Sequence, residues 1–342
     1  MKRLQTVFCL LVFFSIFNAQ AKLAVWSEFL DAEKVERHFE FLKVHHIDLH
    51  LAVRSHEISQ PGLFGFIRKA QQQGIEVRPW ILLEEEKGYW ANVWNAEEFR
   101  QTVLYFLTRA KEERVPVKWI SIDLESPPRQ LKAAAACLSH KDIWCASKVF
   151  SENQNSFVFW KAHATFQKMI DDVHRLDVKL HAVTAPMVLH DFADGLPQFQ
   201  FLFGVPVQGL DWDELSFMVY RPEFINLLGP IGSDIVYEYA KMAKRYVGAK
   251  AAIDLGEIGS SVFPIPVKGF QKPEELISDL RAVREARITE INLYSLDGLS
   301  TMPNPDLWIQ TTGTNTPAPS WKTKFYFSVI QFVKKWLPLP GR

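Results

Sequence analysis

The sequence predicts an α/β chain closed as a (β/α)8 TIM barrel, on three observations. Eight short apolar segments alternate with helix-period patterns between residues 23 and 296, the arrangement of repeated βα units around a parallel barrel. The chain after its leader is long enough to bury one large core, and it contains no further apolar run of bilayer-spanning length. The fourth apolar segment, Val117-Lys118-Trp119-Ile120-Ser121-Ile122-Asp123-Leu124-Glu125-Ser126-Pro127, runs into two carboxylates. Side chains alternate along a strand, so Ser121, Asp123 and Glu125 share one face and Ile120, Ile122 and Leu124 the other. In a barrel, residues at the C-terminal ends of strands line the mouth where chemistry occurs.

Each element has its own signal. Residues 23–26 form a first strand, and 31–44 follow as a helix with Val35, Phe39 and Leu42 at helical spacing. Residues 47–53 alternate as a strand, and 64–73 form a helix ended by Gly74. Residues 75–83 make a third strand whose end opens into a loop with Glu84, Glu85, Glu86, Tyr89, Trp90 and Trp94. Asn95 is expected to cap a helix over 96–113, with Phe99, Val103, Phe106 and Leu107 on one face. The fourth strand leads into a long connection reaching residue 157, a length at which connections usually carry function or move. A helix over 157–176, strands over 178–184 and 214–220, a helix over 235–246, a strand over 251–255, a helix over 273–286 and a strand over 290–296 complete the series.

The ends differ from the middle. Lys2 and Arg3, an apolar run over 7–17 and Ala19-Gln20-Ala21 read as a signal peptide over 1–21, so the protein is expected to be exported. The barrel is assigned to 22–310 and a linker with a basic amphipathic tail to 311–342. In the tail Phe325, Val329, Phe332, Val333 and Trp336 form one stripe beside Lys322, Lys324, Lys334 and Lys335. That stripe either docks onto the barrel, the commoner fate, or lies on an anionic membrane surface.

Composition excludes several classes. Without Lys2 and Arg3 the chain holds 37 basic and 39 acidic residues, so no global charge argues for nucleic acid. The ten His are scattered, with His45 and His46 adjacent and pointing apart, so no metal is expected. No Gly-rich phosphate loop follows a strand, so no cofactor is expected. Cys137 and Cys145 could close a disulfide in an oxidising compartment or remain buried thiols. A monomer is expected.

Paired acids at a barrel mouth suit glycosidic bond cleavage, which needs an acid for the leaving oxygen and a group that supports the cationic centre. Glu125, nearer the mouth, suits the acid, and Asp123 the helper; like charges this close raise one pKa. Trp26, Glu28, Trp80, Glu84, Trp90, Arg221 and Tyr294 are candidate substrate contacts at strand ends or their loops. Arg54, His181, Tyr220, Asp254, Glu257 and Asp297 are further mouth candidates, and Trp94 and Trp212 are further candidates for stacking on sugar. Each is weighed against an ordinary structural role, and for Trp119 packing is preferred.

Residues 118–127 resemble a reduced form of the signature D-G-x-D-x-D-x-E of chitinase-type, family 18 glycoside hydrolases. Phe217-Met218-Val219-Tyr220 is similar to that family's Met-x-Tyr on strand six, and Tyr294 stands where the family ends strand eight with an aromatic. The resemblance covers residues 22 to about 308. It implies an N-acetylated amino-sugar glycan as substrate and retaining hydrolysis assisted by the substrate's own acetamide, with Glu125 as general acid/base, Asp123 orienting the acetamide and Tyr220 hydrogen-bonded to it. The sequence departs from the pattern at Lys118 and Ser121, which replace the two earlier aspartates, at Leu82-Leu83-Glu84-Glu85, which replaces Ser-x-Gly-Gly, and at Arg221, where Asp commonly follows the Tyr. Two alternatives stay open: a carbohydrate-binding barrel without turnover, and a retaining glycosidase with Asp254 or Glu257 of strand seven as nucleophile.

Overall fold

The structure, a computed structural model, describes residues 21–140, 142–261, 265–311, 313–314 and 316–341, so the expected signal peptide lies outside the described residues except for Ala21. Eight parallel strands close into a barrel: β1 Lys22–Ser27, β2 Ile47–Arg54, β3 Val77–Leu82, β4 Trp119–Leu124, β5 Lys179–Thr184, β6 Glu214–Met218, β7 Ala251–Gly256 and β8 Glu290–Tyr294. Each strand pairs with its neighbours in sequence, and β8 closes on β1 with Leu23 opposite Ile291 and Trp26 opposite Tyr294.

Alternation along these strands builds two different interiors. The outward residues, such as Leu49, Ile81, Ile122, Phe217, Ile253 and Leu293, are buried beneath the helices in one continuous apolar layer. The helix Ala96–Glu112 contributes the expected Phe99, Val103, Phe106 and Leu107 to it. A fully buried side chain of this kind contributes about 1.5–3 kcal/mol. The inward residues are largely polar: Asp48, His50, Arg78, Ser121, His181, Glu214, Ser216, Asp254 and Asn292 are all buried.

At the N-terminal end of the barrel Arg78 lies 3.2 Å from Asp48, 3.1 Å from Glu214 and 3.9 Å from Glu290, with its guanidinium over the Trp119 ring. Trp119 thus serves as packing at the floor. One turn higher, Ser121 Oγ lies 2.8 Å from His50 Nδ1, and His50 Nε2 lies 3.2 Å from Asn292 Oδ1. Burial and the nearby Arg78 charge hold both His50 and His181 far below the usual imidazole range, so this layer is neutral.

Several expectations change. The connection after β4 contains helices Pro128–Ser139 and Ile143–Ser151, joined by a Cys137–Cys145 disulfide. The helix expected over 31–44 is two short ones, Ala32–Glu36 and Phe39–Val44. Asn95 precedes its helix but does not cap it with its side chain; it accepts from Asn92 N–H and donates to the Lys87 and Trp90 carbonyls, bracing the loop after β3. The tail helix Trp321–Lys334 docks, though not through the aromatic stripe: Thr323 and Tyr326 are buried while Trp321, Phe325 and Phe332 are exposed.

Candidate functional site

Asp123 is the last inward residue of β4 and is level with Val183 of β5, which belongs to one apolar cluster with Trp80, Leu82 and Tyr89. This apolar wall desolvates the carboxyl and holds its pKa well above the ordinary range, and the charges of Glu125, Asp254 and Glu28 push the same way. Glu125 stands one pleat further out, half-buried at the mouth, where β4 gives way to Ser126-Pro127-Pro128. Burial also raises its pKa, to about 8, against the opposing effect of a hydrogen bond with Asp123. A carboxyl–carboxyl bond requires a proton on one partner. Burial raises both groups, so the pair retains a proton that either carboxyl can carry. The pair can therefore supply a proton at neutral pH and pass charge between its members.

Tyr220 follows β6 and stacks on Tyr294 of β8 with ring centroids 5.6 Å apart. Burial first, then the carboxylates Asp254, Asp123 and Glu125, keep its phenol protonated, so it can donate at the acid pair. Glu28, just past β1, accepts from Tyr89 Oη at 2.8 Å and from Tyr294 Oη. Its pKa rises to about 7, chiefly by burial. Beneath the pair, Asp254 Oδ1 accepts from Ser216 Oγ at 2.6 Å and from the Asn292 amide, and burial raises this acid to about 7. At the edge between β7 and β8, Gly256 leaves no room for a side chain, because a Cβ would run into the Tyr294 carbonyl oxygen.

The structure thus brings together Asp123, Glu125, Tyr220, Glu28, Tyr294 and Asp254. Trp26 and Trp80 lie in the same upper interior, with Trp26 stacked 3.9 Å over His50 and Trp80 edge-on to Trp26 at 4.9 Å. Trp90 belongs to that apolar group as well. Both Trp26 and Trp80 are almost wholly buried, so they form the floor of the site rather than an open stacking platform.

Other candidates fall elsewhere. Arg221 is turned out of the barrel because Pro222 starts the helix Arg221–Leu228; its guanidinium bonds Asp279 at 2.8 Å and the Glu275 carbonyl, over the Phe270 ring. It is a strut between outer helices. Glu84 sits on the rim, accepting from Ser55 Oγ at 2.6 Å, and joins the loops after β2 and β3. Asp297 receives the N–H groups of Glu28, Phe29 and Leu30 at 3.0, 2.7 and 3.0 Å, fixing the loop that carries Glu28. Arg54 donates to the Glu28 carbonyl at 2.9 Å. Trp212 is buried against the outer layer with its indole bonded to the Val207 carbonyl, and Trp94 bonds Asn153 on the connection after β4.

Sequence reasoning missed Tyr89, Ser216 and Asn292 as partners of the site acids. The last two were visible as polar inward positions in Glu214-Leu215-Ser216 and Glu290-Ile291-Asn292. Among the described residues no group of three or more His, Cys, Asp or Glu could hold a metal ion.

No protein-family profile and no curated protein sequence matches the chain. Solved structures do resemble it. The spore cortex-lytic enzyme SleL of Bacillus cereus is 10% identical with a TM-score of 0.50, over 86% of this chain and 76% of that one. A chitinase from Chromobacterium violaceum is 13% identical with a TM-score of 0.48, over 84% of this chain and 96% of that one. The PgaB (BpsB) glycoside hydrolase domain from Bordetella bronchiseptica is 9% identical with a TM-score of 0.49, over 87% and 100%. At such identities the likeness is one of fold, and the fold is the TIM barrel.

Proposed function

We propose that the protein is an exported glycoside hydrolase of the chitinase type, acting on an N-acetylated amino-sugar glycan by substrate-assisted retention. The observation that carries this reading is the placement of Asp123 and Glu125 on one strand face at the barrel mouth, beside the stacked Tyr220 and Tyr294, with burial favouring a proton on the acid pair. Glu125 gives its proton to the glycosidic oxygen as that bond to the anomeric carbon breaks. The substrate's acetamide oxygen forms the new bond to the anomeric carbon, and Asp123 steadies the acetamide N–H as positive charge develops there. Water then adds to the anomeric carbon, giving its proton to Glu125 and releasing the acetamide, so the configuration is retained. Tyr220 is the donor for the acetamide oxygen.

Ser121 in place of an acid removes a like charge from beneath Asp123 and sets a neutral Ser–His layer there instead. In this reading the Asp123–Glu125 pair keeps its proton through burial rather than by sharing it with a deeper aspartate. That substitution also favours the second reading, a barrel that binds glycan without turnover.

The test is chromophore release from N-acetylglucosaminide oligomers and plain glucosides by wild type and Glu125→Gln. Release from the N-acetylated series alone, lost in Glu125→Gln, supports the proposal. Binding without release supports the second reading, and equal release by both proteins removes Glu125 as the acid. A fluorosugar adduct trapped on Asp254 or Glu257 would replace substrate assistance by a strand-seven nucleophile.

A further inference from the structure

The tail helix has two working faces, and only one is used by the barrel. Tyr326 Oη meets Tyr239 Oη at 2.9 Å, and Thr323 Oγ1 bonds Asp234 at 2.6 Å. Lys334 reaches Asp191 at 3.2 Å, Asp194 at 2.5 Å and the His190 carbonyl at 2.7 Å. Beyond the helix, Gln198 binds the Leu337 carbonyl and Trp160 the Gly341 carbonyl, so the chain end is clipped down as well. These contacts fix the helix along its length, and they fix which side it turns outward.

At 100° per residue the opposite side gathers Trp321, Phe325, Val329, Phe332 and Trp336 into one stripe. Trp321 is 72% exposed, Phe325 60%, Phe332 62% and Trp336 77%. A helix already held by a polar and aromatic seam has no folding reason to present four large aromatics to water. Lys324 and Lys335 are exposed along one edge of the stripe, and no acid occurs after Asp306 in the sequence. Trp at both ends of an apolar stripe, flanked by Lys with no carboxylate, is the composition of a helix lying in the headgroup layer of an anionic bilayer. No helix among the described residues is long and apolar enough to cross a membrane, so this contact is peripheral.

We infer that this face seats the barrel on an anionic lipid surface, with the aromatic stripe at the acyl boundary and Lys324 and Lys335 among the headgroups. The inference is independent of the glycan reading. It commits to lipid rather than to a second copy of the chain because both exposed charges beside the stripe have the same sign, which opposes self-pairing of two such faces.

The test is co-sedimentation of the full chain with phosphatidylcholine vesicles, with and without phosphatidylglycerol, alongside light scattering for mass. Wild type is expected to bind the phosphatidylglycerol vesicles, and to bind less as salt rises. Lys324→Glu/Lys335→Glu should lose at least about fivefold per lysine, the effect of one basic group near such a surface. Phe325→Ser/Phe332→Ser should lose binding to the phosphatidylglycerol vesicles while keeping the wild-type unfolding transition, since both side chains are exposed on the barrel's surface. Absence of vesicle binding by wild type, or binding unaffected by both double variants, overturns the inference. A dimer dispersed by Phe325→Ser/Phe332→Ser, without lipid binding, would assign the face to a second copy and overturn it equally.

Discussion

Replacing Arg78 by Met probes the polar interior that sets the site apart from an aliphatic barrel. The guanidinium is 2% exposed and bridges Asp48, Glu214 and Glu290. Methionine fills much of the same volume, so the loss is electrostatic rather than a cavity. Asp48 keeps Lys22 at 2.5 Å, whereas Glu214 is left facing His181, which burial holds neutral. One buried carboxylate without a partner costs about 3–5 kcal/mol. The sign with pH follows. Protonation relieves the cost of a buried, unpaired carboxylate, so the variant regains stability as pH falls and loses it as pH rises. Glu290, already raised to about 7 with Arg78 present, moves in the same direction. Urea unfolding of wild type and Arg78→Met at pH 7 and pH 5 should show a loss of about 3–5 kcal/mol at the higher pH that shrinks at the lower. Arg78→Met/Glu214→Met should recover most of it. A loss below about 1 kcal/mol at pH 7, or one independent of pH, would refute the role assigned to this cluster.

Further outcomes follow from the site and its supports. Because Glu125 is raised to about 8 from 4.5, its proton is present below that value and lost above it, so kcat/KM on an N-acetylated substrate should fall tenfold per pH unit above about 8. A profile already falling above pH 5 would contradict this assignment. Glu28→Gln keeps the shape but leaves one acceptor oxygen for two tyrosine hydroxyls, with an amide N–H facing the other, so the Tyr89–Glu28–Tyr294 bridge should break on one side and kcat/KM drop about tenfold with little change in unfolding temperature. Reduction of Cys137–Cys145, or its replacement by serines, opens a short loop and should cost about 2.5 kcal/mol by chain entropy, read as faster proteolysis between residues 128 and 151.

Barrel and acid pair were legible because both rest on local pattern: alternation places Asp123 and Glu125 on the inward face whatever the helices do. The polar core was written in the same alternation, in Ile47-Asp48-Leu49-His50, but an inward polar residue identifies its partner only after closure puts His50 beside Ser121. Arg221 illustrates the limit. Its neighbour Tyr220 points inward, yet Pro222 turns the chain into a helix and Asp279, 58 residues away, captures the guanidinium. The connection after β4 carries no clear helical signal in the sequence because its helices, Pro128–Ser139 and Ile143–Ser151, are short and held together by a covalent bond rather than by a long apolar face. In the tail the apolar stripe was plain, but the docking face is made by Thr323, Tyr326 and Lys334, which hydropathy does not mark as buried.

The most direct measurement is the anomeric configuration and rate of product release from an N-acetylglucosamine oligomer, followed by NMR for wild type and Glu125→Gln. The account predicts first-formed product of retained configuration from wild type and at least a hundredfold slower release from the variant. Inverted product, or an undiminished rate in Glu125→Gln, would contradict it.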